Sequence, residues 1–213
     1  MSGVEDIRAP GDIERRSFEI IDSEVSEPRP FQGVEWQVAR RMIHTSADFE
    51  ILSLLRFHPQ ACEAGLAALA SGCLLITDTD MARCGIPKRR MEPLGCTVRC
   101  LMADAETAVL ARDRGTTKAR AAVDLAVERL APAVWVIGNA PTALLRLLEH
   151  IDAGRALPAL VVGMPVGFVN AAESKELLLA QERVPYVTLR GRKGGSALAA
   201  SVINALAEVV LRG

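Results

Sequence analysis

One transition recurs along this chain and constrains its fold more than any single residue: a short apolar run, then a turn rich in glycine, proline or side-chain oxygens, then a helical pattern. CLLIT (73–77) runs into Asp78-Thr79-Asp80, and AVWVIGN (133–139) runs into PTALLRLLEHI (141–151). PALVVGMPVGF (158–168) leads to ESKELLLAQE (173–182), and PYVTLRGRKGG (185–195) to a terminal helix over much of 196–211. CTVRCLM (96–102) is a weaker strand, because Arg99 interrupts its hydrophobic face, and a broken helical region extends through 116–131. Continuous apolar strands need cover on both faces, so the alternation predicts an α/β fold: a mostly parallel sheet flanked by helices. In such a sheet function gathers beyond the carboxyl ends of the strands, where the turns meet.

Before the first clear strand comes an N-terminal helical elaboration. After a short lead, Ile13, Ser17, Ile20 and Ile21 mark a first helix, and 28–33 reads as a linker. A second helix begins near Val34 and runs toward Ile43, with Val38 and Met42 on its apolar side and His44 at its C-terminal end. A third pattern follows Pro59, using Cys62, Leu66 and Leu69 and ending near Gly72. At 213 residues the chain suits one domain, 1–213, with material for a substantial core.

Composition excludes several classes. Aromatic residues are 4% of the chain and the formal charge is −1, so neither a base-stacking platform nor a strong field for nucleic acid is present. The apolar runs break before membrane-spanning length, and no cationic leader with a cleavable apolar core opens the sequence, which predicts a cytoplasmic protein with no membrane partner. Cys62, Cys73, Cys84, Cys96 and Cys100 contain no C-x-x-C pair, so buried thiols are expected rather than a structural zinc site; one reactive cysteine is the alternative. No metal site and no cofactor are expected.

The chemistry-bearing residues form several groups. Of the three imidazoles, His150 lies in a helix beside Glu149 and reads as exposed or as a helix-end charge, and His58 precedes a proline at a connection. His44 stands among Thr45, Ser46 and Asp48, where it either closes a helix or exchanges a proton near neutral pH. Asp78-Thr79-Asp80 is a strand-end turn, a cation site, or a hydrogen-bonding edge for a polar substrate. The later turns place Asn139 and Thr142, then Asn170, Glu173, Ser174 and Lys175, then Arg190, Arg192 and Lys193 at starts of helices. Together they point to an anionic pocket, with arginine forks and backbone N–H groups sharing a carboxylate. Lys88, Arg89 and Arg90 form either a solvated charge run or a loop closing over an anionic ligand; Arg15, Arg16, Lys118 and Arg120 can extend that surface. A phosphate-cradling glycine loop is missing, which weakens an adenylate- or dinucleotide-using reading.

Six passages resemble the precorrin-8X methylmutases, including their cobalt-precorrin counterparts: RRSFEII (15–21), RMIHTSAD (41–48), TDTDM (77–81), GNAPTALL (138–145), PALVVGMPVGFVNAAESKE (158–176) and RGRKGGSALAA (190–200). The resemblance implies methyl migration from C11 to C12 within one corrin precursor, giving a hydrogenobyrinate-type product in vitamin B12 biosynthesis without an external methyl donor. It maps His44 onto the histidine of the family's "IHT" passage as general acid/base. For the carboxylate arms it implies Arg15, Arg16, Arg89, Arg90, Lys118, Arg192 and Lys193 as counter-ions. Ser17, Thr79, Asn139, Thr142 and Ser174 are the hydrogen-bonding candidates. It also implies a homodimer with pockets near the subunit boundary, and a transient downstream biosynthetic enzyme as partner. Lys118 and Asn170 depart from the family pattern, in which arginine and a small residue are expected. A noncatalytic α/β binding protein for a polycarboxylated small molecule is the competing reading.

Overall fold

Val134 and Val136 face one side of the sheet, Trp135 and Ile137 the other, and all four are buried. That two-residue period, with neither face left to solvent, is why the run reads as continuously apolar. The computed structural model describes residues 9–213, so the N-terminal lead at 1–8 lies outside the described residues. Six strands form one sheet: β1 (Leu55–Phe57), β2 (Leu74–Thr77), β3 (Thr97–Cys100), β4 (Val134–Ile137), β5 (Leu160–Gly163) and β6 (Tyr186–Leu189). The helices are α1 (Pro10–Glu24), α2 (Gly33–Ser46), α3 (Ile51–Leu54), α4 (Ala61–Ala70), α5 (Asp80–Gly85), α6 (Lys88–Met91), α7 (Ala105–Asp113), α8 (Lys118–Arg129), α9 (Pro141–Asp152), α10 (Ala171–Ala180) and α11 (Ser196–Arg212).

The spatial order is β1-β6-β5-β4-β2-β3, parallel throughout except for β1 against β6. The parallel strands thus follow the doubly wound 2-1-3-4-5 order, whose direction reverses between β2 and β4. On one face, residues of α2, α4 and α11 pack with Leu75, Val134, Val136, Val162 and Val187. On the other, α8, α9 and α10 cover Ile76, Trp135, Ile137, Val161 and Tyr186. Each large apolar side chain so buried contributes about 1.5–3 kcal/mol.

The mostly parallel sheet, its flanking helices and the N-terminal helices agree with the sequence reading, while three details differ. Residues 55–57 form an antiparallel edge strand, paired Leu55 to Leu189, that the sequence reading did not anticipate. The basic run at 88–91 is a short helix rather than a loop. Of the cysteines only Cys96 is buried; Cys84 is exposed and the other three are half-buried. Burial nevertheless pushes the Cys62 and Cys73 thiols up to about 12, so neither is a thiolate at neutral pH.

At the carboxyl ends of the strands the turns touch without room for side chains. A Cβ on Gly138 would lie 2.6 Å from the Ser196 Cα, and one on Gly194 would lie 2.1 Å from the Met164 carbonyl oxygen. Both obstacles are backbone, so they cannot swing aside. Gly194→Ala is expected to cost about 2–4 kcal/mol through a forced backbone shift, read as a lowered denaturant midpoint; an unchanged midpoint would show that the two loops are free to separate.

Candidate functional site

The last turn of α2 carries Thr45 and Ser46, whose hydroxyls donate back to the carbonyls of Arg41 (2.8 Å) and Met42 (3.0 Å). The helix ends at Ala47, whose left-handed backbone (φ 52°) turns its N–H onto the Ile43 carbonyl at 2.7 Å. This termination leaves His44 half-buried one turn inside the end, its ring edge-on to Phe18 of α1 at 5.2 Å between centroids. No ring nitrogen of His44 has a protein hydrogen-bond partner among the described residues. The other imidazoles are committed. His58 Nδ1 accepts from the Gln60 N–H at 3.2 Å. His150 Nε2 meets Asp124 at 2.7 Å while its Nδ1 accepts from Arg155 Nε at 3.0 Å.

His150 therefore corrects the expectation of an exposed or helix-end charge: it is 3% exposed and belongs to a buried ionic network. Asp124, equally inaccessible, also accepts from Arg146 Nε (2.6 Å) and Arg114 Nη1 (2.7 Å). Burial alone would raise the Asp124 carboxyl, but Arg146, His150 and Arg114 hold it below its ordinary value.

Around His44 the charges are mutually paired. Buried Arg41 bonds Glu14 at 2.9 Å and also Glu208, which Arg90 reaches at 3.5 Å. Burial would raise the Glu14 carboxyl; Arg41, with smaller help from Arg90 and His44, lowers it. Arg15 is exposed on α1 and spans Asp12 and Glu19, and Arg16 also meets Glu19. The Ser17 hydroxyl donates to the Ile13 carbonyl, and Arg89 is exposed on α6. An open cleft of about 350 Å³ beside Phe18 is lined by Glu14, Arg15, Asp22, Arg40 and Arg212.

The second group gathers at the topological switch point between β2 and β4. Asp78, at the end of β2, is buried and accepts from the backbone N–H groups of Gly138 (3.0 Å), Asn139 (2.8 Å) and Ala140 (2.6 Å). Burial raises its carboxyl, against the pull of these three donors. The turn into α9 thus does receive a carboxylate, as its sequence suggests, but the carboxylate is the protein's own. Thr79 caps α5 through the Ala82 N–H (3.1 Å) and shares a 2.8 Å hydrogen bond with Ser196 at the start of α11. Thr142 accepts from the Thr117 hydroxyl at 3.4 Å, beside exposed Lys118 at the start of α8. The Asn139 side chain is exposed.

Lys193 links the two groups, since its ammonium bonds both Asp48 and Glu50 at 2.6 Å, just beyond the end of α2. Its carbonyl accepts from Lys175 Nζ at 2.6 Å. Lys175 is fully buried, and burial lowers its ammonium to about 8. Ser174 is fully buried too, its hydroxyl turned inward onto the Ala171 carbonyl at 3.1 Å. Asn170 takes the left-handed backbone (φ 60°) preceding α10, a conformation asparagine tolerates better than most residues. Sequence reasoning had not singled out Phe18, Arg41, Glu14 or Ser196; only Asp48, beside His44, was visible as a polar neighbour.

Hydroxyls, cations and an imidazole with no hydrogen-bond partner among the described residues thus lie on a doubly wound α/β sheet and the helices that flank it. The precorrin-8X methylmutase family matches residues 12–209. A cobalt-precorrin-8 methylmutase of Priestia megaterium is 42% identical over 197 residues, covering 92% of this chain and 87% of the relative. A precorrin-8X methylmutase of Pseudomonas aeruginosa is 45% identical over 196 residues, covering 92% and 93%. The crystal structure of the precorrin-8X methylmutase of Thermus thermophilus superposes with a TM-score of 0.88 at 45% identity, covering 95% of this chain and 97% of that one. The chain belongs to the precorrin-8X methylmutase family, and as a mutase it is an isomerase. Among the described residues no helix is long and apolar enough to cross a membrane, and no group of three or more His, Cys, Asp or Glu side chains is arranged to hold a metal ion.

Proposed function

We propose that the whole chain acts as one methylmutase domain that moves a methyl group from C11 to C12 of precorrin-8X, giving a hydrogenobyrinate-type product on the route to vitamin B12. The observation that carries this reading is the family match from residue 12 to residue 209, which embraces both His44 and the turns at the strand ends. Substrate and product are isomers, so no methyl donor enters. His44 lends a proton to the macrocycle, redistributing the ring electrons as the methyl migrates, and recovers it as the product forms. Its unengaged ring nitrogens suit that exchange better than those of His58 or His150.

Acetate and propionate arms carry the negative charge of the substrate. Arg192, Arg89 and Lys118 lack a carboxylate partner among the described residues and are the readiest counter-ions. Arg15, Arg16, Arg90 and Lys193 would exchange an internal carboxylate for a substrate one. Ser17, Thr79, Asn139, Thr142 and Ser174 complete the polar set, with Ser174 acting from behind the surface. The enzyme works in the cytoplasm as a homodimer with pockets near the subunit boundary, and hands its product to a downstream biosynthetic enzyme.

Purified protein incubated with precorrin-8X in the absence of S-adenosylmethionine is expected to change the absorption spectrum at constant mass. Tight binding without conversion would instead support a noncatalytic carrier. Parallel rates with metal-free and cobalt-containing substrates assign the natural form.

A further inference from the structure

The turn between β5 and α10 places large apolar side chains in solvent at the mouth of the sheet. Phe168 is 82% exposed and Val169 is 78% exposed, with Val166 partly so. Met81, 72% exposed, stands at the start of α5 where β2 ends. Three exposed apolar side chains within one turn, Val166, Phe168 and Val169, mark a surface that something covers, since each forgoes the gain of burial.

What stands beside the phenyl ring identifies the covering chemistry. The Arg192 guanidinium carbon lies 5.3 Å from the Phe168 ring centroid. The two loops are tied by the Gly167 N–H on the Arg192 carbonyl at 3.3 Å. Arg192 is exposed and has no carboxylate within ion-pair distance among the described residues, whereas its neighbours are engaged: Arg190 lies 3.7 Å from Glu176, and Lys193 lies 2.6 Å from Asp48 and Glu50. A guanidinium held over an aromatic ring has less rotamer freedom left to lose, and its N–H fork remains available for a bidentate carboxylate.

Building on the proposed function, we infer that Phe168 and Arg192 form a composite platform that sets substrate specificity. The phenyl ring, with Val169, takes the apolar face of the macrocycle while the guanidinium beside it takes a carboxylate arm on its rim. The partner is a flat, largely apolar ring bearing peripheral carboxylates; a simple polyanion would use Arg192 and ignore Phe168.

The test uses the full-length protein with hydrogenobyrinate as the equilibrium probe and precorrin-8X for kinetics. Phe168→Ala and Arg192→Ala are each expected to raise Kd and KM about tenfold with kcat held within about threefold, while the double variant loses clearly less than the hundredfold product of the two, because the pair acts as a unit. Sedimentation and Tm of Phe168→Ala should match the unsubstituted protein, since both side chains lie at the surface. An unchanged Kd in Phe168→Ala, fully multiplicative losses, or a smaller assembly in sedimentation would overturn the platform; the last would assign the patch to a second copy of the chain. If the unsubstituted protein neither binds hydrogenobyrinate nor converts precorrin-8X, the functional reading falls and the platform with it. Normal conversion with an unaltered Phe168→Ala variant would remove the platform alone.

Discussion

His44→Ala is expected to lower the rate of methyl migration at least about a hundredfold while leaving product affinity within about threefold, the range for removing a positioned general acid/base. The expectation rests on what the side chain does and does not touch. Among the described residues its one ring contact is the edge of Phe18 and neither nitrogen has a hydrogen-bond partner, so truncation to alanine breaks no hydrogen bond there. The fold should survive, because α2 is anchored by Trp36, Val38, Ala39, Met42 and Ile43, all buried. Single-turnover absorbance with enzyme in excess separates the chemical step from binding. Turnover near the unsubstituted rate would reject His44 as the proton carrier. A large loss of affinity with an intact chemical step would make it a binding residue instead.

The second large effect falls on stability rather than chemistry. Asp124→Ala is expected to destabilise the fold by about 2–4 kcal/mol, because it leaves the buried His150 Nε2 without a partner and takes from Arg114 and Arg146 one of the two carboxylates each holds. Arg114, Arg146 and His150 all converge on this carboxylate, and Arg155 depends on it through His150. In a chain of this size the midpoint temperature should fall by roughly 10 °C. The sign of the pH dependence follows from the lowered pKa of Asp124. The folded protein holds the carboxylate more strongly than the unfolded chain does. This contribution is therefore complete above the unfolded value near 4 and is lost as pH falls through the folded value. Asp124→Asn should flatten that acid limb of the stability curve. A variant that melts with the unsubstituted protein, or keeps the same acid limb, would show that the network is ornamental.

How much of this was legible in the sequence depended on the range of the interactions. The sheet was legible because strands such as 134–137 are buried on both faces and carry no polar interruption. Strand β1 was not: LRF is three residues long, shows no period, and is extended because Leu55 and Phe57 lie against Leu189 and Val187. The position of His44 in the last turn of its helix was readable from local pattern. The state of its nitrogens was not, since being unpartnered is a property of the whole environment. Lys193 and Asp48 stand 145 residues apart, and nothing in either passage announces the other. His150 was misjudged because exposed Glu149 beside it suggested solvent, whereas the imidazole itself is buried against Asp124 of α8.

The occupancy of the β2/β4 crossing by Asp78 has a consequence for the lineage of folds this sheet resembles. In many proteins of this winding a phosphate sits in that seat, gripped by amide hydrogens at the start of a helix. Here the chain itself supplies the group in that seat, the carboxyl of Asp78. The three amide hydrogens that open α9 are thus spent inside the protein, and the turn is fastened to β2 by the side chain that consumes them.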